Sequence, residues 1–230
     1  MNLEEDAFEW SKARKGKWPP RNSDSFRKTA WPARVMTIAL ATALAGCGAA
    51  RPSKYYQLTV PGAEGVAQGA DPVPATLLLG PLLASHLYRE DRIVYSSNGE
   101  QMGTYEYQRW AEPPTEMIQE VLLRELRASG RYKAVYAGRS NATGDFMIRG
   151  RLYDFKEISG SPMLARVTFE LEMRDLKSGS TVWNHYYSHD EPVTGKDVPA
   201  VVAALDRNVQ TALKEVLASL NQHFAEHPFK

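Results

Sequence analysis

One cysteine, five histidines and a few closely spaced carboxylates are the groups in this chain whose types could do chemistry. Cys47 closes the run Leu44-Ala45-Gly46-Cys47 and, as the sole cysteine, has no partner for an intrachain disulfide. His185 and His189 stand four residues apart in an alternating, strand-like stretch. At a rise of about 3.3 Å per residue they lie about 13 Å from each other, too far to share a metal ion. His223 and His227 have the i, i+4 spacing of one helix face, but no third ligand lies near them in the sequence, so they are read as solvated. Glu170 and Glu172 look like a catalytic carboxylate pair until their neighbours are included. Arg166 and Arg174 are interleaved with them on the wet side of a strand, and cross-strand charge pairing accounts for the group better than acid–base work.

No phosphate-cradling, dinucleotide-binding, nucleophile-elbow or zinc-protease motif occurs. Asn141-Ala142-Thr143 fits a glycosylation acceptor, a three-residue pattern that carries almost no weight by itself. The expectation is a protein with no catalytic residues, no metal and no cofactor.

What surrounds Cys47 gives it a different use. Arg27, Lys28 and Arg34 stand before a short apolar run over residues 35–46 that is rich in Ala and Thr. Basic residues, an apolar stretch and a small-residue end make a secretory signal peptide. The run is too short for a membrane span, which takes about 20 apolar residues. Ending on cysteine, it resembles a bacterial lipobox, in which the thiol is acylated and becomes the first mature residue. Gly48 is not the aspartate that holds enteric lipoproteins at the inner membrane, so outer-membrane sorting is expected. Residues 1–46 exceed the usual signal-peptide length of 15–30 residues, and the expectation is that translation begins downstream of Met1. Counted from Cys47, 20 Lys and Arg face 22 Asp and Glu, a balance that argues against an electrostatic nucleic-acid binder.

Residues 47–53 read as a lipidated tether and 54–227 as a single domain. Residues 54–60 suit a strand, 61–74 a mobile Pro- and Gly-containing loop, and 75–81 a buried strand. A helical turn is expected at 85–92, then strands at 93–96 and 101–107 joined by the turn signal Asn98-Gly99. Ile118, Val121, Leu122 and Leu126 make the apolar stripe of a helix over 115–129, stopped by Gly130. Strands follow at 131–136, 145–155, 165–175 and 181–191. In the third, Ala165, Val167, Phe169, Leu171 and Met173 alternate strictly with polar residues, which means a sheet with one wet side. A terminal helix over 198–224 presents Val201, Val202, Leu205, Val209, Leu213, Val216, Leu217 and Leu220 on one face. The fold class is α+β, a two-layer sandwich of a mostly antiparallel sheet with two main helices packed on one face.

Arg109-Trp110-Ala111-Glu112-Pro113-Pro114 joins a strand to a helix, and its two prolines forbid continuing the strand. Trp110 is expected to anchor this corner in the core, with Arg109 and Glu112 satisfying the turn or each other. The other reading of Arg109, Trp110, Glu112 and Pro113 is a partner-binding corner.

In order along the chain, the lipobox with Cys47, Lys54-Tyr55-Tyr56-Gln57-Leu58, Leu79-Gly80-Pro81, the Arg109-Trp110-Ala111-Glu112-Pro113 corner and Ser188-His189-Asp190-Glu191-Pro192-Val193 resemble the ABC-type transport auxiliary lipoproteins. Their best-known type is the paraquat-inducible protein C-like lipoprotein. The resemblance implies a fold similar to the amino-terminal domain of TolB. It implies an outer-membrane lipoprotein facing the periplasm, held by its lipid anchor, without catalysis. Its implied partners are an MCE-domain protein and an ABC permease and ATPase that move phospholipids or other hydrophobic compounds. A homo-oligomeric ring is one implied form of the assembly. A free-standing structural or assembly lipoprotein of the outer membrane is the alternative.

Overall fold

The computed structural model describes residues 51–59, 72–97, 101–138 and 140–229, all within one compact unit, 51–230. Cys47 with its leader, the Asn98-Gly99 turn and most of the expected 61–74 loop lie outside the described residues.

Eight strands and two α-helices make up the described residues. They are β1 (Lys54–Tyr56), β2 (Val73–Ala84), β3 (Arg92–Ser96), β4 (Met102–Trp110), α1 (Pro114–Ala128), β5 (Tyr132–Ala137), β6 (Phe146–Ile158), β7 (Leu164–Asp175), β8 (Thr181–Pro192) and α2 (Val198–Glu226), with a single 3-10 turn at His86–Tyr88. The strands form one sheet. One path through it runs β1-β4-β3-β6-β2-β5, and β7 and β8 extend it from the other edge of β6.

The long ladders β6–β7 and β7–β8 are antiparallel, as is β3–β4. The sheet is nevertheless mixed, because β2 runs parallel to both β5 and β6, β3 parallel to β6, and β1 parallel to β4. The near-continuous apolar run Leu77-Leu78-Leu79-Gly80-Pro81-Leu82-Leu83 is the kind of sequence that strands flanked on both sides by parallel neighbours carry. β2 also begins before the expected start, at Val73, and continues beyond Pro81. Both prolines fall within or beside shifts of register, between Val73 and Thr76 and between Leu79 and Leu82. A proline has no N–H to give to a ladder, and a bulge lets the strand pass through it.

Both helices cover the same face of the sheet. Leu79 and Leu82 of β2, Phe169 and Leu171 of β7, Ile118 and Leu122 of α1 and Leu213 of α2 line one small apolar cavity between the layers. α1 starts on Pro114, carries Glu116 in its first turn and ends with Arg127, whose Nε donates to the Val135 carbonyl at 2.9 Å. Those placements suit the helix dipole at both ends. Gly130, at φ +59°, then takes the left-handed conformation that stops the helix.

α2 starts on Asp197, whose Oδ1 accepts from the Ala200 amide at 3.1 Å. Val201, Leu205, Val209, Leu213, Val216 and Leu220 are buried on the sheet, while Val202 and Leu217 flank the stripe half-buried. Asn208 lies within this apolar stripe and is fully buried. Its Nδ2 donates to the Ala165 carbonyl at 2.8 Å and the His189 carbonyl at 2.9 Å, so one side chain ties the helix to both β7 and β8. No helix among the described residues is long and apolar enough to cross a membrane.

Candidate functional site

The strand-to-helix corner is built inward. Trp110 is 1% exposed and its ring meets that of Phe155 at 5.3 Å. The Trp110 amide donates to the Asp91 carbonyl at 2.7 Å, and the Ala111 amide to the Tyr56 carbonyl at 2.6 Å. Arg109 pairs with Asp91 (Nη1 to Oδ1, 2.8 Å) and not with Glu112. The register explains this, since Arg109 lies opposite Arg92 on β3, next to Asp91, whereas Glu112 is already past the end of β4. Pro113 caps α1 and its carbonyl accepts from the Glu116 and Met117 amides. Of the four only Glu112 is exposed, along a depression with Gln57, Leu58, Glu120 and Arg124.

The sheet face away from the helices is the second surface. Strand register sets Leu83 of β2, Arg151 of β6, Glu170 of β7 and Tyr186 of β8 side by side across four strands. Leu83 is 57% and Tyr186 63% exposed, and Tyr153, two residues past Arg151 on β6, is exposed as well. Within the row, the Tyr153 hydroxyl donates to Glu170 Oε2 at 3.1 Å, and the Arg151 guanidinium lies 5.9 Å from the Tyr153 ring. One row over, Arg149 pairs with Glu172. A shallow depression lined by Pro81, Leu83, Met147, Arg149, Arg151, Glu170 and Glu172 runs between the rows. Gly150 lies at its floor, and a Cβ there would point to the helix side of the sheet and collide with the Glu170 carbonyl oxygen and the Leu171 side chain.

The two glutamates thus form cross-strand pairs with β6, not with the arginines of their own strand. Residues directly opposite on paired strands stand closer than residues two apart along one strand. Arg166 instead holds Asp190 through two bonds of 2.7 Å, and Arg174 Nε donates to the Gly179 carbonyl at 2.6 Å. The Arg166 guanidinium holds the Asp190 carboxyl below the usual carboxylate value.

The four histidines near β8 and the end of α2 are spread out. The His185 ring stacks on Trp183 at 6.0 Å, and burial pushes its pKa down. His189 lies 3.7 Å from Glu191. His223 and His227 stack at 4.7 Å, and burial, then the charge of His227, lowers the pKa of His223. Among the described residues no group of three His, Cys, Asp or Glu side chains converges to hold a metal ion. The small apolar cavity between helices and sheet holds about 10 Å³, room for about one water.

Fold and surfaces together define a two-layer α+β domain whose exposed aromatic and charged residues lie on an open sheet face. The chain belongs to the ABC-type transport auxiliary lipoprotein component family, whose model matches residues 56–217. The fold is shared with a crystal structure of a protein from Xanthomonas campestris, at 20% identity and a TM-score of 0.66, covering 75% of this chain and 98% of the other. A second solved structure, titled only as an uncharacterized protein, aligns at 12% identity with a TM-score of 0.59 over 74% of this chain and 99% of its own. No curated protein matches the sequence.

Proposed function

We propose that this protein is a non-catalytic subunit of an MCE-type lipid transport system, anchored at the periplasmic side of the outer membrane through an acylated Cys47. There it docks the periplasmic part of an assembly that includes an MCE-domain protein and an ABC permease and ATPase. Family membership supports the transport role. The observation that carries the docking role is the bare row Leu83–Arg151–Glu170–Tyr186, apolar and aromatic at its ends and charged in its middle. Aromatic side chains and arginine on a rigid, exposed sheet are what protein interfaces use as anchors. A homo-oligomeric ring would repeat the same face around its axis and raise its avidity.

The test is capture of the protein from detergent-solubilised envelope. Recovery of an MCE-domain protein with the wild-type chain, and its loss with Leu83→Ser/Tyr186→Ser, is the expected result. Recovery of other outer-membrane proteins without any MCE protein would favour a free-standing assembly lipoprotein instead.

A further inference from the structure

The sheet carries a second exposed aromatic group, at the opposite end of its strand order from the open-face row. β1 lies parallel to the end of β4, with Tyr55 beside Arg109 and Tyr56 beside Trp110. Tyr56 and Trp110 turn towards the core, so Tyr55 and Arg109 turn away from it. Tyr55 is 63% exposed, and Tyr107, two residues before Arg109, is exposed as well. Next to them on the same ribbon the rings of Tyr95 and Tyr105 meet at 5.1 Å, and Gly103 is what leaves room for the Tyr95 ring. Arg51 and Lys54 at the start of the described chain are exposed too.

Chain length decides what this ribbon faces. Lys54 is seven residues after Cys47, and seven residues fully extended span at most about 25 Å. A domain of this size is about 40 Å across. An acyl chain on Cys47 therefore keeps β1 closer to the bilayer than the domain is wide. The side chains that it brings there are of the kind that settle at a membrane interface, with an apolar ring and a polar tip, beside two cations.

We propose that the β1–β4 ribbon is the membrane-facing side of the domain, with Tyr55 and Tyr107 lying in the phospholipid headgroup layer. This rests on Cys47 being the anchor point, and it leaves the row of Leu83 and Tyr186 for protein partners.

Because Cys47 is the only cysteine, the mature chain can be coupled through it to a maleimide-bearing phospholipid in vesicles of phosphatidylethanolamine and phosphatidylglycerol. Amide hydrogen exchange is then compared with the same chain capped at the thiol and free in solution. Exchange over residues 54–56 and 105–109 should slow severalfold on vesicles, while β8 exchanges at the same rate in both forms. Tyr55→Ser/Tyr107→Ser should abolish the protection with β8 unchanged, which also reports that the fold is intact. Equal exchange of the ribbon in the two forms, or protection that survives the double substitution, would overturn the proposal. Chemical coupling makes this result independent of acylation in the cell, so failure of the anchor and failure of the membrane face are told apart.

Discussion

Tyr187 and Asn208 join the terminal helix to the sheet inside the core. The Tyr187 hydroxyl donates to Asn208 Oδ1 at 2.6 Å, and both side chains are buried. With the two carbonyls that Asn208 Nδ2 serves, the amide has every polar atom satisfied by β7 or β8. Replacing it by a hydrocarbon removes the donor that serves the two strand carbonyls and leaves the Tyr187 hydroxyl only its 3.3 Å bond to the backbone carbonyl of residue 208. Each buried polar group that loses its partner costs about 1–3 kcal/mol. Asn208→Leu should therefore destabilise the domain by roughly 3 kcal/mol or more in urea unfolding. Ser219→Ala, which removes only the acceptor of the Trp183 indole N–H, should cost about 1 kcal/mol.

The Arg109-Trp110-Ala111-Glu112-Pro113 corner is expected to matter through packing. Trp110→Ala should cost about 3–5 kcal/mol, because the ring is buried against Phe155. Arg109→Ala breaks a partly solvated pair with Asp91 and should cost under about 1 kcal/mol. If the corner were the partner surface, Glu112→Ala would weaken capture of the MCE protein without changing stability. The expected result is that it changes neither.

Gly150 is where β6 and β7 approach too closely for a side chain. Gly150→Ala should destabilise by more than about 2 kcal/mol by forcing β6 and β7 apart beside Leu171. Gly160, whose added Cβ meets an ordinary distance to Pro162, serves as the control, and Gly160→Ala should be near neutral in the same unfolding assay.

Mild acid should loosen the packing of α2 on the sheet. His185 and His223 are both held below the ordinary imidazole value by burial, with Glu215 partly opposing this at His185 and His227 adding to it at His223. In the unfolded chain both return to about 6.5. As pH falls through that value the unfolded state binds protons that the native state does not yet bind, so stability declines. The decline levels off only below the lowered native values. Urea midpoints at about pH 7.5 and about pH 5.5 should differ, and His185→Phe should shrink the difference.

Much of this fold is legible in the sequence, for local reasons. β7 alternates strictly because the helices cover one of its faces and leave the other bare, and α1 announces itself by Pro113-Pro114, its Ile118–Leu126 stripe and Gly130. What local pattern does not carry is partner choice. Parallel pairing of β2 with β5 and β6 brings together segments some 60 residues apart, and no short-range signal specifies it. Pro74 and Pro81 read as strand boundaries because the register shifts that accommodate them exist only in the assembled sheet. Glu170 and Glu172 show the same limit at the open face, where charge pairing is readable but Arg149 and Tyr153 as partners depend on the β6–β7 register. Asn208 breaks the apolar stripe of α2 and marks its own importance, yet its three partners come from β7 and β8.

The row of Leu83 and Tyr186 was not visible as a row, since its members come from four strands. Leu83 and Tyr186, at its two ends, are well exposed. The substitutions Leu83→Ser and Tyr186→Ser should change stability by less than about 0.5 kcal/mol while removing partner capture, which separates docking from folding.

Mass spectrometry of the mature amino terminus, purified from the envelope, tests most directly whether this domain works from a membrane anchor. The predicted result is a chain beginning at Cys47 and carrying acyl chains. An unmodified chain beginning at Met1 would contradict it.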